Sequence, residues 1–349
     1  MIVYTAGCVA SMLIAWATLH VKQLENSKPW FKALLACFPL FFIAAFRYDV
    51  GQDYLYTYFP YFYRVQAGTV TETLEPAYHL LNVIVAKLGG SVVWVFAISA
   101  AIFMMCVFTS IYRESPSPVL SIFLLVGMTY YFIFLNGMRQ MIGCGILLYA
   151  LRFVQEKRFG PFLICVLIAS CFHISCFLGI VIYFLQFIRF SPKITLGVTA
   201  LLLVLSGPLT QLALKIIAMT PYGSYIGSVF DTGEKGYFII AINAAILLLG
   251  MAFYQKNDKF NLYFNLQVVS LWIAAFSGNV ALIGRLRWMF GLPGIILIPL
   301  ILKGIKNGKL RFLAISAVVI CFALYTAITI GLRNGNNVLP YQMIWGRNL

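Results

Sequence analysis

The sequence predicts an all-α, polytopic membrane protein. Two observations carry that prediction. Of the 349 residues, 62% are hydrophobic and only 10% charged, whereas soluble domains carry about 25% charged residues. The apolar residues also gather in long runs separated by short Lys/Arg clusters, the pattern of spanning helices joined by cytoplasmic loops. The net charge of +15 fits such loops and their attraction to anionic lipid, and calls for no nucleic acid. No polar stretch is long enough for a separate soluble domain, so residues 1–349 read as one integral membrane domain.

A spanning helix needs roughly 20 apolar residues. Ten stretches read as spans, near 2–21, 33–46, 91–111, 118–135, 138–154, 194–217, 237–255, 260–283, 288–302 and 312–331, with 33–46 and 288–302 short as drawn and extending into their flanks. Ile2–Leu19 has no basic segment before it and reads as a retained span, not a cleaved leader. Residues 161–190 are too long for one upright helix and carry His173 in the middle. They read as a broken pair turning near Phe172–Ser175. Residues 77–88, ending at Gly89-Gly90, are too short to cross and read as a re-entrant or interfacial helix within an outer loop over 47–90. Placing the basic clusters at Lys22–Lys32, Arg152–Arg158, Arg189–Lys193, Lys256–Lys259 and Lys303–Arg311 inside gives about twelve crossings, with both termini outside.

This arrangement sorts the cations. Ten of the 13 Lys fall inside, while seven of the 12 Arg fall outside: Arg47, Arg64, Arg139, Arg285, Arg287, Arg333 and Arg347. Positive-inside bias does not explain outer Arg. Guanidinium binds phosphate through paired hydrogen bonds and keeps its charge when desolvated, so the outer face suits a bound phosphate or diphosphate. Snorkelling to lipid headgroups is the plainer alternative for any one of them.

Polar residues concentrate on the same predicted face. Arg47–Tyr58 packs Arg47, Asp49, Gly51, Asp53, Tyr54 and Tyr58 into twelve residues. A solvated loop is the plain reading, but that aromatic content suits a folded, ligand-facing loop better. Glu72, Glu75 and Pro76 follow. Asn136-Gly137-Met138-Arg139-Gln140 interrupts an apolar run, and a helical hairpin turn there would expose Arg139 and Gln140. Asn-Gly alone would mark only a turn. His173 reads either as a hydrogen-bonded packing group or as a functional residue lining a cavity at a broken helix. Arg285 and Arg287 flank Leu286 at the predicted end of a span, Tyr341 lies in an aromatic tail expected to pack back on the protein, and the Gly/Tyr-rich loop 218–236 reads as a lid.

Several chemistries lack support. The sequence holds no P-loop, H-E-x-x-H, G-x-G-x-x-G or G-x-S-x-G. The eight Cys include no C-x-x-C pair, so no metal site or disulfide is expected.

With these residues in order, the chain resembles the EpsG family, the Wzy-like polymerases of bacterial exopolysaccharide, capsule and O-antigen. The resemblance runs through Arg47…Gly51-Gln52-Asp53-Tyr54, Tyr58, Glu75-Pro76, Asn136–Gln140, Phe172–Ser175, the Arg285–Arg287 stretch and Pro340-Tyr341. It implies a fold like the GT-C membrane glycosyltransferases, no cofactor, and an active site facing outward from the bacterial cytoplasmic membrane. It also implies transfer of a growing glycan from a polyprenyl-diphosphate carrier onto a lipid-linked repeat unit, alongside a flippase and a chain-length regulator of the same pathway. In that chemistry Asp53 is the first choice of general base, followed by His173 and Glu75, with Arg139 stabilising the leaving diphosphate. Arg47, Asp49, Tyr54, Tyr58, Asn136, Gln140, Arg285, Arg287 and Tyr341 would bind substrate. A lipid-linked oligosaccharide flippase or a membrane O-acyltransferase remains the alternative.

Overall fold

The computed structural model describes residues 1–219, 237–277 and 281–345, all helical in their regular parts apart from one isolated bridge. Most of the predicted loop 218–236 lies outside the described residues, as does Arg347. Two compact units divide the chain, one formed by Met1–Ile180 with Lys306–Leu349 and the other by Val181–Ile305.

The first unit opens with α1 (Ile2–His20), the short α2 (Lys22–Glu25) and α3 (Pro29–Ala45). The predicted outer loop then holds more helix than expected: a π-turn at Tyr54–Tyr58, α4 (Phe59–Ala67) and α5 (Pro76–Lys87). Helix α5 follows the expected short stretch closely. Pro76 starts it, where its missing N–H costs nothing. Gly89, at φ +69°, follows its end in the left-handed conformation that glycine allows. Helix α6 (Val92–Glu114) is long and apolar.

The predicted span 118–135 is instead two helices, α7 (Pro118–Gly127) and α8 (Tyr130–Asn136), bent by 52°. Thr129 makes the bend at φ +65°. Such a break frees main-chain carbonyls that lipid cannot satisfy. Thr326 supplies a hydroxyl to the Gly127 carbonyl at 2.8 Å.

Helix α9 (Met138–Gln155) follows after Gly137 alone, and α10 (Phe159–Phe172) runs back along it. His173 is extended (φ −158°, ψ 119°) and ends α10. A 3-10 stretch, Ile174–Ile180, then descends along α9. Cys176 lies against Gly143 and Gly179 against Leu147, so the expected broken pair turns at His173.

The second unit holds α11 (Val181–Leu185), α12 (Pro192–Ala218), α13 (Tyr237–Ala252), α14 (Asp258–Ser277), α15 (Ala281–Gly291) and α16 (Gly294–Lys303). A buried polar knot joins α13 to α14, with Gln267 Nε2 and Ser270 Oγ both donating to Asn243 Oδ1, at 2.8 and 2.9 Å. The predicted boundary between spans near 283–288 is corrected. Residues 281–291 form one helix, and the 43° bend comes later, ahead of Gly294. Pro293 sits at that bend and lacks the N–H a continuous helix would use.

The chain returns to the first unit with α17 (Gly308–Thr326) and a π-turn to Leu332. Helices α1, α6, α12 and α17 with its extension are long and apolar enough to cross a membrane. Counting each bent pair as one span raises that number to six among the described residues.

Candidate functional site

In the first unit, five separate stretches meet at one end of the apolar helices, around the one-residue break between α8 and α9. Asn136 is the hub. Its Oδ1 accepts the Asp53 main-chain N–H at 2.9 Å, and its carbonyl accepts the Tyr58 hydroxyl at 3.0 Å. Burial, with the Asp53 charge nearby, pushes the Tyr58 phenol up to about 12. It therefore remains a proton donor at physiological pH.

Arg139, the second residue of α9, donates from Nη1 to Glu75 Oε2 in a tight ion pair with Glu75 at the start of α5. The pair is mostly sheltered, with side chains 19% and 15% exposed. Arg139 Nε is buried without a hydrogen-bond partner. Gln140 is 3% exposed, which corrects the expectation that the turn exposes it. The reason is that α9 begins directly after Gly137, so Gln140 already faces the packed hairpin and donates to Ser175 Oγ at 3.4 Å. Ser175 Oγ is also 2.8 Å from His173 Nδ1. The N-G-M-R-Q segment thus reaches Asp53, Tyr58 and Glu75 directly, and His173 through Ser175.

Arg47 does a different job from the ligand contact expected of it. It is fully buried. Its Nη1 donates to the Ala44 carbonyl at 2.6 Å, Nε to Val50 and Nη2 to Leu135, both at 3.3 Å, and its guanidinium lies 4.6 Å from the Phe96 ring centroid. Three carbonyls and a π-face hold the cation internally. Arg47 therefore ties the end of α3 to the α8–α9 break. Tyr54 is buried and stacks on Phe96, 4.8 Å between centroids. Asp49 is exposed, at φ +49°.

The C-terminal tail fixes the Arg47–Asp53 loop. The loop's Tyr48 and Gly51 N–H groups donate to Gln342 and Asn337 carbonyls at 2.9 and 2.8 Å, and Ile344 N–H donates to Phe46 at 3.0 Å. Tyr341, predicted to touch substrate, gives its hydroxyl to the Ile43 carbonyl at 3.0 Å. Gly51 sits at φ +95°, and a Cβ there would meet the Leu135 carbonyl oxygen at 2.5 Å. Gly51→Ala is therefore strained on two counts, at a cost of roughly 2–4 kcal/mol. We expect it to unseat the loop and sharply lower activity, as a polysaccharide blot of the variant normalised to membrane abundance would show.

Arg285 and Arg287 belong to α15 of the second unit, where Arg285 lies 5.9 Å from the Trp288 ring centroid. Two residues the sequence reading passed over join the first unit's cluster, His79 and Tyr61. The Tyr61 hydroxyl lies 2.7 Å from His79 Nδ1. Only the amphipathic spacing of α5, which puts His79 one turn after Glu75, could have pointed to it.

Apolar helices of spanning length with a sheltered ionic cluster at their ends define a multi-helix protein of the membrane type. The chain belongs to the EpsG family, whose model matches residues 30–343, and membership implies a polysaccharide-polymerase type of function. No curated protein and no solved structure gave a match.

Proposed function

We propose that the protein joins polyprenyl-diphosphate-linked oligosaccharide repeat units by glycosyl transfer at the outer face of the bacterial cytoplasmic membrane. The observation that carries this reading is Arg139, a sheltered guanidinium with one edge on Glu75 and a buried Nε–H that none of the described residues accepts. An unsatisfied buried donor costs about 1–3 kcal/mol. A phosphate oxygen arriving at that edge removes the cost and adds a charge-assisted bond.

In the reaction, an acceptor hydroxyl oxygen bonds to the anomeric carbon of the donor glycan. The bond from that carbon to the phosphate oxygen breaks, and the polyprenyl diphosphate leaves with the electron pair. Arg139 stabilises the leaving charge in a partly dry site. The hydroxyl proton passes to Asp53, with His173, oriented by Ser175, and Glu75 behind it. Asp49, Asn136, Gln140, Tyr54, Tyr58 and Tyr341 shape and support the site, and Arg47 pins it; Arg285 and Arg287, on α15, are substrate-binding residues in the same reading. About twelve crossings in a GT-C-like arrangement, acting as one membrane domain, present this face outward, where a flippase delivers units and a chain-length regulator acts on the product.

Deleting the gene and sizing the lipid-linked glycans tests the reading. Single repeat units accumulating on the outer face support it. Units retained on the cytoplasmic face indicate a flippase, and polymer of normal length without O-acyl groups indicates an acyltransferase. Topology has its own test. Cysteines placed at Gln52, Gly137 and Gly284 should react with an impermeant maleimide from outside, and labelling of any one only from the cytoplasm contradicts the outward site.

A further inference from the structure

We infer that His79 is a binding residue for the acceptor glycan, donating from Nε2 to a sugar oxygen beside the Glu75 carboxylate. This rests on the polymerase reading above. The argument begins with a proton. The Leu74 main-chain N–H donates to the Tyr61 hydroxyl oxygen at 3.0 Å. That hydroxyl has one proton of its own, and His79 Nδ1 lies 2.7 Å away. A main-chain amide can only donate, and the described residues offer the hydroxyl no other acceptor, so the arrangement that satisfies every group points the hydroxyl proton at Nδ1, which accepts it. The neutral imidazole then carries its proton on Nε2. No partner for Nε2 occurs among the described residues.

The position of that donor is set by α5. His79 N–H bonds to the Glu75 carbonyl at 2.9 Å, so the two residues lie one turn apart at the start of α5. Glu75 gives Oε2 to Arg139. Its second oxygen takes no partner among the described residues. A carboxylate acceptor and a neutral N–H donor at this separation match two neighbouring hydroxyls of a pyranose. One hydroxyl donates to Glu75, and the other accepts from His79. A cation at position 79 would compete with Arg139 for Glu75, whereas a neutral donor fixed by Tyr61 does not.

The test uses the full-length enzyme in lipid nanodiscs and repeat units extracted from the gene-deletion strain. Initial rates of chain extension are measured against repeat-unit concentration, with the melting temperature of each variant alongside. His79→Ala should raise KM about tenfold or more and leave kcat within about threefold, the signature of lost ground-state binding. His79→Gln, which keeps an N–H donor near the Nε2 position, should hold KM within about threefold of wild type. Tyr61→Phe releases the tautomer and should give a KM between the two. An unchanged KM in His79→Ala overturns the inference, as does a fall in kcat alone. So does a His79→Gln enzyme of normal melting temperature with the KM of the alanine variant. All three of these results leave the polymerase reading standing. If the wild-type enzyme extends no repeat units, the polymerase reading falls and takes the inference with it.

Discussion

Arg139→Lys should reduce polymer output about a hundredfold, the loss of on the order of 3 kcal/mol that follows removal of one electrostatic contact in a desolvated site. Lysine keeps the positive charge and can still pair with Glu75. It cannot supply the second edge, the buried Nε–H that no atom of the described residues accepts. Folding should survive, because the ion pair to α5 is retained in kind. The measurement is polymer length and amount on a gel at matched membrane abundance, with the detergent melting temperature unchanged. Arg113→Lys is the control. It lies in the last turn of α6, away from the cluster, and should be silent. Wild-type chain lengths from Arg139→Lys would remove Arg139 from any diphosphate contact.

Arg47→Ala should fail in the opposite way, by losing the protein. The Arg47 side chain is fully buried and satisfies the carbonyls of Ala44, Val50 and Leu135. Deleting it strips three acceptors of a donor and leaves a cavity beside Phe96, at a cost on the order of 4 kcal/mol. Membrane abundance and melting temperature should both fall, with polymer falling in proportion to folded protein. A variant of normal melting temperature that makes no polymer would show instead that Arg47 acts on substrate. The two arginines are thus separable: one governs the rate and the other the scaffold.

Much of this arrangement was legible because polar residues stand out in an apolar chain. His173 marks the turn of the α10 hairpin since it interrupts a run with no other reason to break, and Asn136–Gln140 marks the centre of the cluster for the same reason. The 12-residue α5 was readable from length alone. Other features carried no such signal. The bend at Met128–Thr129 is marked in sequence only by Gly127 at the end of α7, and the α17 hydroxyl that caps it comes from the far end of the chain. Arg47 looks like a ligand residue in sequence, because the carbonyls that consume its donors belong to apolar residues that any reading treats as lipid-facing. Gln140 was expected at an exposed turn, since a sequence shows that helices break but not how few residues the break takes. His79 sits in an ordinary amphipathic stretch, and its meaning depends on Tyr61, 18 positions earlier.

The most direct test is reconstitution. Purified protein in liposomes, given only lipid-linked repeat units from the deletion strain and no nucleotide sugar, should convert single units into a ladder of lipid-linked oligomers, and the Arg139→Lys protein should leave them almost all as single units. Repeat units that stay unextended with folded wild-type protein, or a ladder made equally well by Arg139→Lys, would contradict the account.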